Sequence, residues 1–461
     1  MSANLADLDA LNLAQRVRSG DLDPLDVVEA FIARIQARND ELVALVNFDP
    51  DAARREAVEL RARLAGGETL ALAGVPVVVK DNIWVKGRRI TQGSRLFAEF
   101  VAGEDAIAVE RLRAAGAVVI GIGACPEFAC KGLTSSPLYG ATGHPADPRL
   151  TPGGSSGGCA VALAAGFAPL ALGTDAGGSG RRPGGHCGVV GFKPSQGAIP
   201  YGPGFPEPFW GISVIAPMGR TVKDVSTMFS VVAGRDPRDA ETIALDPPDK
   251  RTEVPRVAFS PRMGLEVPVD GDVVACVESA IGRLKSAGIA LTSADPVWPA
   301  GAAETGLVPI HQAGLALIHG SDWRADPGRF DPDVGAQIEA GFHWTGCDVV
   351  AALDLGARVR RSVAAFFSHF DLLVGPTAPC VSWPRDRLGP ATIGGVAVPP
   401  RGHAVFTPLF NHALVPAISV PCGTGRAGLL VGLQIVGPRG ADHRVLAFAR
   451  KVEECLGRTP S

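Results

Sequence analysis

Thr151-Pro-Gly-Gly-Ser-Ser-Gly-Gly158, an uncharged small-residue run to Leu172, Gly173-Thr-Asp-Ala-Gly-Gly-Ser-Gly-Arg181 and Gly188-Val-Val-Gly-Phe-Lys-Pro194 together decide the fold. Ser155 and Ser179 each follow a Gly-Gly pair. Glycine lets backbone approach a bound atom and presents N–H groups with no side chain in the way. Between the two loops, Ser156 to Phe167 is rich in alanine, which favours helix. With no charge on any face, that helix must be buried. Pro169 to Leu172 then reads as a short buried strand. The first Gly-Gly-Ser loop therefore sits at a helix N-terminus, and the second follows a strand end, where ligands of open α/β sheets bind. Both loops are expected to build one site.

Upstream, Gly74-Val-Pro-Val-Val-Val-Lys-Asp-Asn82 reads as a strand buried on both sides and closed by Lys80. A lysine at that edge either points to solvent or is desolvated; burial would lower its pKa and leave a neutral base near pH 7. Helix Glu110 to Gly116 followed by strand Ala117 to Gly121 repeats the alternation of an α/β sheet. Ile212 to Ala216 and a helix after Thr221 extend it. The expected fold is one large α/β domain with a mixed central sheet covered by helices on both faces. Its parts are an N-terminal helical segment (1–70), a core (71–235), a covering lobe (236–371) and a return to the sheet (372–461).

In the first segment, Asp23-Pro24 and Asp49-Pro50 open helices as N-cap and first-turn proline, Gly66-Gly67 closes the second, and Leu42 to Phe48 reads as a strand. The lobe shows strands at Val257 to Phe259 and Ile289 to Leu291, a helix from Val273 to Ala287, and helices around His311, Val334 and Val349 to Phe370. Asp246-Pro-Pro-Asp-Lys-Arg-Thr252 reads as a surface linker. Leu372 to Pro376, Ala417 to Pro421 and Leu430 to Gly437 are strands, and Asp442 to Leu456 is the closing helix.

With 461 residues and a formal net charge of −3, nothing in the composition suggests a nucleic-acid or anionic-membrane partner. The 57 glycines, without a repeat period, imply many tight loops. Nine cysteines with no C-x-x-C pair read as small core residues in a reducing compartment. The first residues are acidic and periodic, not basic then apolar, and no apolar run reaches about 18 residues, so a cytoplasmic protein is expected.

Three chemistries compete for the Gly-Gly-Ser loops. Gly153-Gly-Ser-Ser-Gly157 matches the G-x-S-x-G elbow of an α/β-hydrolase-like esterase with Ser155 as nucleophile, but that motif needs a strand before the serine and Gly143 to Pro152 is too rich in proline. A phosphate loop lacks both G-x-x-x-x-G-K-[ST] and G-x-G-x-x-G where they would count. A flexible linker does not join a loop to a buried apolar segment.

Gly153-Gly-Ser-Ser-Gly-Gly158, Ala171-Leu-Gly-Thr-Asp-Ala-Gly-Gly-Ser179 with Arg181 and Pro183, and Cys187-Gly-Val-Val-Gly-Phe-Lys-Pro194 resemble the amidase signature family. The likeness extends to Gly74 through Asn82, Ala216-Pro-Met-Gly-Arg-Thr221, Pro416 through Pro421 and Gly432-Leu-Gln434, and is weakest in the lobe. It implies an amidase with a serine–serine–lysine triad: Ser179 as nucleophile, Ser155 as bridging serine after a cis peptide at Gly154, and Lys80 as base. It further implies an oxyanion hole from the N–H groups of Ala176, Gly177, Gly178 and Ser179, with Ser156, Asp175 and Arg181 in support. Gly180 stands where many relatives carry a bulky aliphatic residue, and Ser213 where several carry an acid. Both weaken the second reading, an amidotransferase component of a tRNA-dependent transamidase that needs partner subunits.

Tyr201, Phe205, Phe209 and Trp210 either wall an acyl pocket or pack the core. Arg88 and Arg89 could meet an acidic substrate, and His186 reads as local structure. The expected partner is a small-molecule amide, with a homodimer possible and no cofactor, metal, nucleic acid or membrane.

Overall fold

A computed structural model describes residues 5–246, 254–303 and 305–457. Strand Leu170–Asp175, which follows the buried helix Gly157–Ala164, lies inside an 11-stranded mixed sheet. From edge to edge the strands are Leu45–Val46, Val118–Gly123, Pro76–Lys80, Leu170–Asp175, Val214–Gly219, Val190–Lys193, Ala417–Thr424, Leu430–Val436, Leu372–Pro376, Val257–Phe259 and Leu291–Ser293. Pairing is parallel among Val118–Gly123, Pro76–Lys80 and Leu170–Asp175, and again among the last three strands. The intervening pairs are antiparallel. The result is a single α/β domain whose sheet is flanked by helices.

Local chemistry sets most element ends. Asp23 caps helix Pro24–Leu42 through the Leu25 N–H, Asp49 caps Pro50–Ala65 through the Ala52 N–H, and Thr221 caps Val222–Val232 through the Asp224 N–H. The uncharged helix Gly157–Ala164 is buried except at Ala164. Gly158 makes this possible: a Cβ there would lie 2.2 Å from the Ala124 nitrogen, so the helix start rests directly on the backbone leaving strand Val118–Gly123.

Several expectations are corrected. The strand expected over Leu42 to Phe48 shrinks to Leu45–Val46, because Val43 and Asn47 both take positive φ and end it. The segment 236–371 does more than cover the sheet, since Val257–Phe259 and Leu291–Ser293 extend its edge in parallel with Leu372–Pro376. No helix was expected after Arg181, yet Gly184 and Gly185 lie in the fully buried helix Arg181–Cys187, seated on the C-terminal strands. Of the linker Asp246 to Thr252, only Asp246 lies within the described residues. Among the described residues no helix is long and apolar enough to cross a membrane.

Candidate active site

Lys80 ends the strand Pro76–Lys80 and is fully buried. Its Nζ donates to Ser155 Oγ at 2.8 Å and to Thr174 Oγ1 at 2.7 Å. Burial lowers its pKa from the ordinary 10.5, only partly opposed by the nearby thiols and Asp175. The next residue, Asp81, anchors the chain as it leaves the strand: its carboxyl takes the N–H groups of Thr91 and Gly93 and the Thr91 hydroxyl, and burial pushes it up to about 7. Thr174 also accepts from Asn82 Nδ2 at 3.1 Å, so its hydroxyl orients the lysine.

Ser155 follows a cis Gly154–Ser155 peptide and is 1% exposed. Ser156 fixes the loop to strand Leu170–Asp175 and to Ser179, with its Oγ donating to the Thr174 carbonyl at 3.0 Å and its N–H to the Ser179 carbonyl at 3.1 Å. Thr134 holds the same loop from outside, donating to the Gly153 carbonyl at 2.8 Å and accepting the Gly157 N–H at 3.1 Å.

The second loop turns on an ion pair with no solvent exposure. Arg181 Nη2 and Nε meet the two oxygens of Asp175 at 2.9 and 3.0 Å. Burial alone would raise the Asp175 carboxyl, but the Arg181 charge and hydrogen bonds from Arg181 and Asn411 outweigh it and hold the group well below the usual carboxylate range. The rest of the guanidinium is occupied by Gln434 Oε1 at 2.7 Å, the Thr407 carbonyl at 3.2 Å and Asn411 Oδ1. Its neighbour Arg182, 6% exposed, spans the two serine loops by donating to the Gly177 carbonyl at 2.8 Å and the Gly154 carbonyl at 3.3 Å.

One of the four expected oxyanion donors is corrected. The Gly178 N–H donates to Asp175 Oδ1 at 2.7 Å, because φ of 109° turns it toward the carboxylate. Only glycine fits there, since a Cβ would lie 2.1 Å from Thr407 Oγ1. Among the described residues, the N–H groups of Ala176, Gly177 and Ser179 have no protein acceptor.

Ser155, Thr174, Ala176 and Ser179 line one cleft, which encloses about 640 Å³ with the open solvent at its mouth included. Tyr201, Phe205 and Phe209 form part of its wall. Phe205 sits 4.7 Å from Phe97 and 5.0 Å from Phe100, and Phe209 stacks on His311 at 5.8 Å. Trp210 is corrected: it is 55% exposed and outside the cleft, because positive φ at Trp210 and Gly211 swings the indole out over Gly314. Arg88 and Arg89 do not face the cleft either, for Arg88 pairs with Glu56 at 3.2 Å and Arg89 with Glu99 at 3.4 Å. The His186 ring packs edge-on to Trp383 and its carbonyl meets His144, while burial pushes its pKa down to about 3.

Sequence reasoning passed over Thr174, Arg182, Thr407 and Asn411. Thr174 and Arg182 adjoin residues already singled out, and polarity inside a buried block is a usable signal for them. Thr407 and Asn411 carry no such mark. Among the described residues, no group of three or more His, Cys, Asp and Glu side chains is placed to hold a metal ion.

A family model described as Amidase matches residues 26–446. An acylamidase of Rhodococcus erythropolis is 34% identical over 98% of this chain and 96% of its own. A glutamyl-tRNA(Gln) amidotransferase subunit of Deinococcus radiodurans is 35% identical over 96% of each chain. The crystal structure of a bacterial aryl acylamidase of the amidase signature enzymes is similar with a TM-score of 0.89 and 26% identity, covering 97% of this chain and 96% of that one.

Proposed function

Since the chain belongs to the Amidase family, the amidase signature enzymes, and hydrolyses amide C–N bonds, we propose that it does so through an acyl-enzyme on Ser179, with Ser155 and Lys80 as the proton relay. The observation that carries this reading is the fully buried Lys80 amine 2.8 Å from Ser155 Oγ, on the cleft that Ser179 also lines. A serine hydroxyl is a weak nucleophile until a neighbour takes its proton. A hydroxyl both donates and accepts, so Ser155 can pass that proton on. In the neutral form of the amine Thr174 Oγ1 takes one of its hydrogens, and the 2.8 Å contact with Ser155 runs the other way, the Ser155 hydroxyl donating to the amine lone pair.

In the first half-reaction the Ser179 Oγ–carbon bond forms while its proton moves to Ser155 and the Ser155 proton to Lys80. The free N–H groups of Ala176, Gly177 and Ser179 receive the oxyanion. Lys80, now charged and disfavoured by burial, returns its proton through Ser155 to the leaving nitrogen as the C–N bond breaks. Water then repeats the path, and the acid leaves with Ser179 restored. Ser156, Asp175 and Arg181 hold the two loops in register.

In this reading the protein works on a small amide in the cytoplasm, with no cofactor and no partner protein; the expected homodimer is checked by light scattering. Measuring ammonia or amine release for the wild type and the Ser179→Ala, Ser155→Ala and Lys80→Ala variants tests it. Full amide turnover by the Ser179 variant refutes it. The relatives named as glutamyl-tRNA(Gln) amidotransferase subunits carry the second reading. Activity appearing only with partner proteins and a charged tRNA would establish that one instead.

A further inference from the structure

One proline- and glycine-rich loop, Tyr201 to Phe209, lines the cleft along its whole length, and it carries a carboxylate. Glu207 lines the cleft. Its Oε1 accepts the Phe209 N–H at 2.8 Å and the Ser213 hydroxyl at 2.6 Å, so its position is held by two bonds within the loop. Two other titratable side chains line the cleft: Tyr201, whose phenol burial pushes up and so keeps neutral, and His319, stacked on Phe128 with ring centroids 3.8 Å apart. Among the described residues no lysine or arginine lines the cleft. Arg181 and Arg182, in the Ser179 loop, are engaged by Asp175 and by backbone carbonyls, and Arg401, whose charge acts on His311 behind Phe209, donates to Gln337 Oε1 at 2.6 Å and is not a lining residue.

We infer that this cleft selects neutral and cationic amides over anionic ones, with Glu207 as the residue that sets the preference. The inference rests on the proposed function and narrows its substrate class. A carboxylate brought into the cleft meets a second carboxylate and finds no basic side chain among the lining residues, Lys80 lying beyond Ser155 and Thr174 and held by both, whereas an ammonium group finds a counter-ion among aromatic walls. Burial raises the Glu207 carboxyl above its ordinary value, while the bonds from Ser213 and Phe209 favour the charged form. An ammonium group favours that charged form further. His319 adds no compensating charge, because burial pushes it down to about 4.

The test is a matched series of linear amides of equal length ending in a methyl, an ammonium or a carboxylate group. The expected kcat/KM order is ammonium at or above methyl, with carboxylate on the order of tenfold or more below methyl, as like charges in a partly dry cleft require. Glu207→Gln keeps an acceptor for Phe209 and Ser213, and should shrink the carboxylate penalty and remove any ammonium advantage; Glu207→Asp should retain the order. Binding of the three amides to the Ser179→Ala variant, read by calorimetry, gives the same order without turnover. Absence of hydrolysis of all three amides by the wild-type protein, with the binding order intact, would count against the proposed function and leave the charge preference standing. A carboxylate amide bound and turned over as well as the methyl amide, or ratios unmoved in Glu207→Gln, would overturn the inference.

Discussion

Replacing Lys80 with methionine, which keeps the length of the side chain and removes its amine, separates what the lysine does for chemistry from what it costs the fold. The change deletes the bonds to Ser155 and Thr174. Hydrogen bonds of this kind contribute about 0.5–1.5 kcal/mol each. Against that loss stands the penalty of burying an ionisable amine. The folded-state pKa of Lys80 lies below the ordinary 10.5, so between those two values the unfolded chain binds more protons than the folded one. Wild-type stability attributable to this group therefore rises with pH through that window, and the penalty is full below it. Thermal unfolding of both proteins at a series of pH values should show the methionine variant gaining relative to wild type at neutral pH and losing that advantage as pH approaches 10.5. In kinetics, wild-type kcat/KM on an amide should rise with pH through an apparent pKa below the ordinary lysine value. Lys80→Met should lower kcat by about 10²–10⁴-fold, the usual scale of general acid–base catalysis. A matched ester should suffer less, since an alkoxide leaves with less help than an amine. Lys80→Arg should fail on amides like the methionine variant, because arginine stays protonated. An arginine variant with near-normal amide turnover, together with a stability difference that does not change with pH, would refute the neutral-base role.

Arg181→Met leaves Asp175 charged and buried without its partner and should cost about 3–5 kcal/mol in urea unfolding, with Arg181→Lys only partly restoring it because lysine cannot bridge both oxygens. Asp175 has a depressed carboxyl, so the stability it contributes is present above its ordinary 3.8 and is lost as pH falls through the folded value; Asp175→Asn should flatten that acid limb. A fluorophosphonate should label Ser179 and not Ser155, as peptide mapping by mass spectrometry will read. Arg182→Met removes the charged donor from the carbonyls of Gly177, which keeps the Thr407 hydroxyl, and of Gly154, and should lower kcat about tenfold or more with a smaller change in KM, each bond to a charged donor contributing about 1.5–3 kcal/mol. Prolonged dialysis against a chelator should leave amide hydrolysis unchanged.

What could be seen in advance was local. Asp23-Pro24 and Asp49-Pro50 mark helix starts because capping is decided within a turn of chain, and the charge-free run after Ser156 could only be buried. Lys80 was recognisable by its place at the end of an apolar strand, although the strand pattern alone left open which way its amine points. Helix Arg181–Cys187 was hidden because its proline and two glycines oppose helix, and only burial against the C-terminal strands stabilises it. The outward turn of Trp210 and the engagement of the Gly178 N–H depend on single backbone angles, which residue type does not specify. The parallel edge from Val257–Phe259 and Leu291–Ser293 joins segments far apart in sequence, and two short apolar runs carry no record of their partners. Thr407 and Asn411 were silent for the same reason, and Gln434, although it stands in a block of the family resemblance, carried no sign that Arg181 is its partner.

That distance has a consequence for how the enzyme comes into being. Arg181 is gripped by Gln434, 253 positions further along, and by Asn411 and Thr407. A chain emerging from the ribosome therefore exposes Lys80, Ser155 and Ser179 long before it has made the residues that hold the nucleophile loop. Until those last strands arrive, the ion pair of that loop has nothing to bury it, so hydrolysis is expected only once synthesis has passed residue 434. A chain stopped short of Gln434 should be silent, which assaying such a truncation on an amide checks.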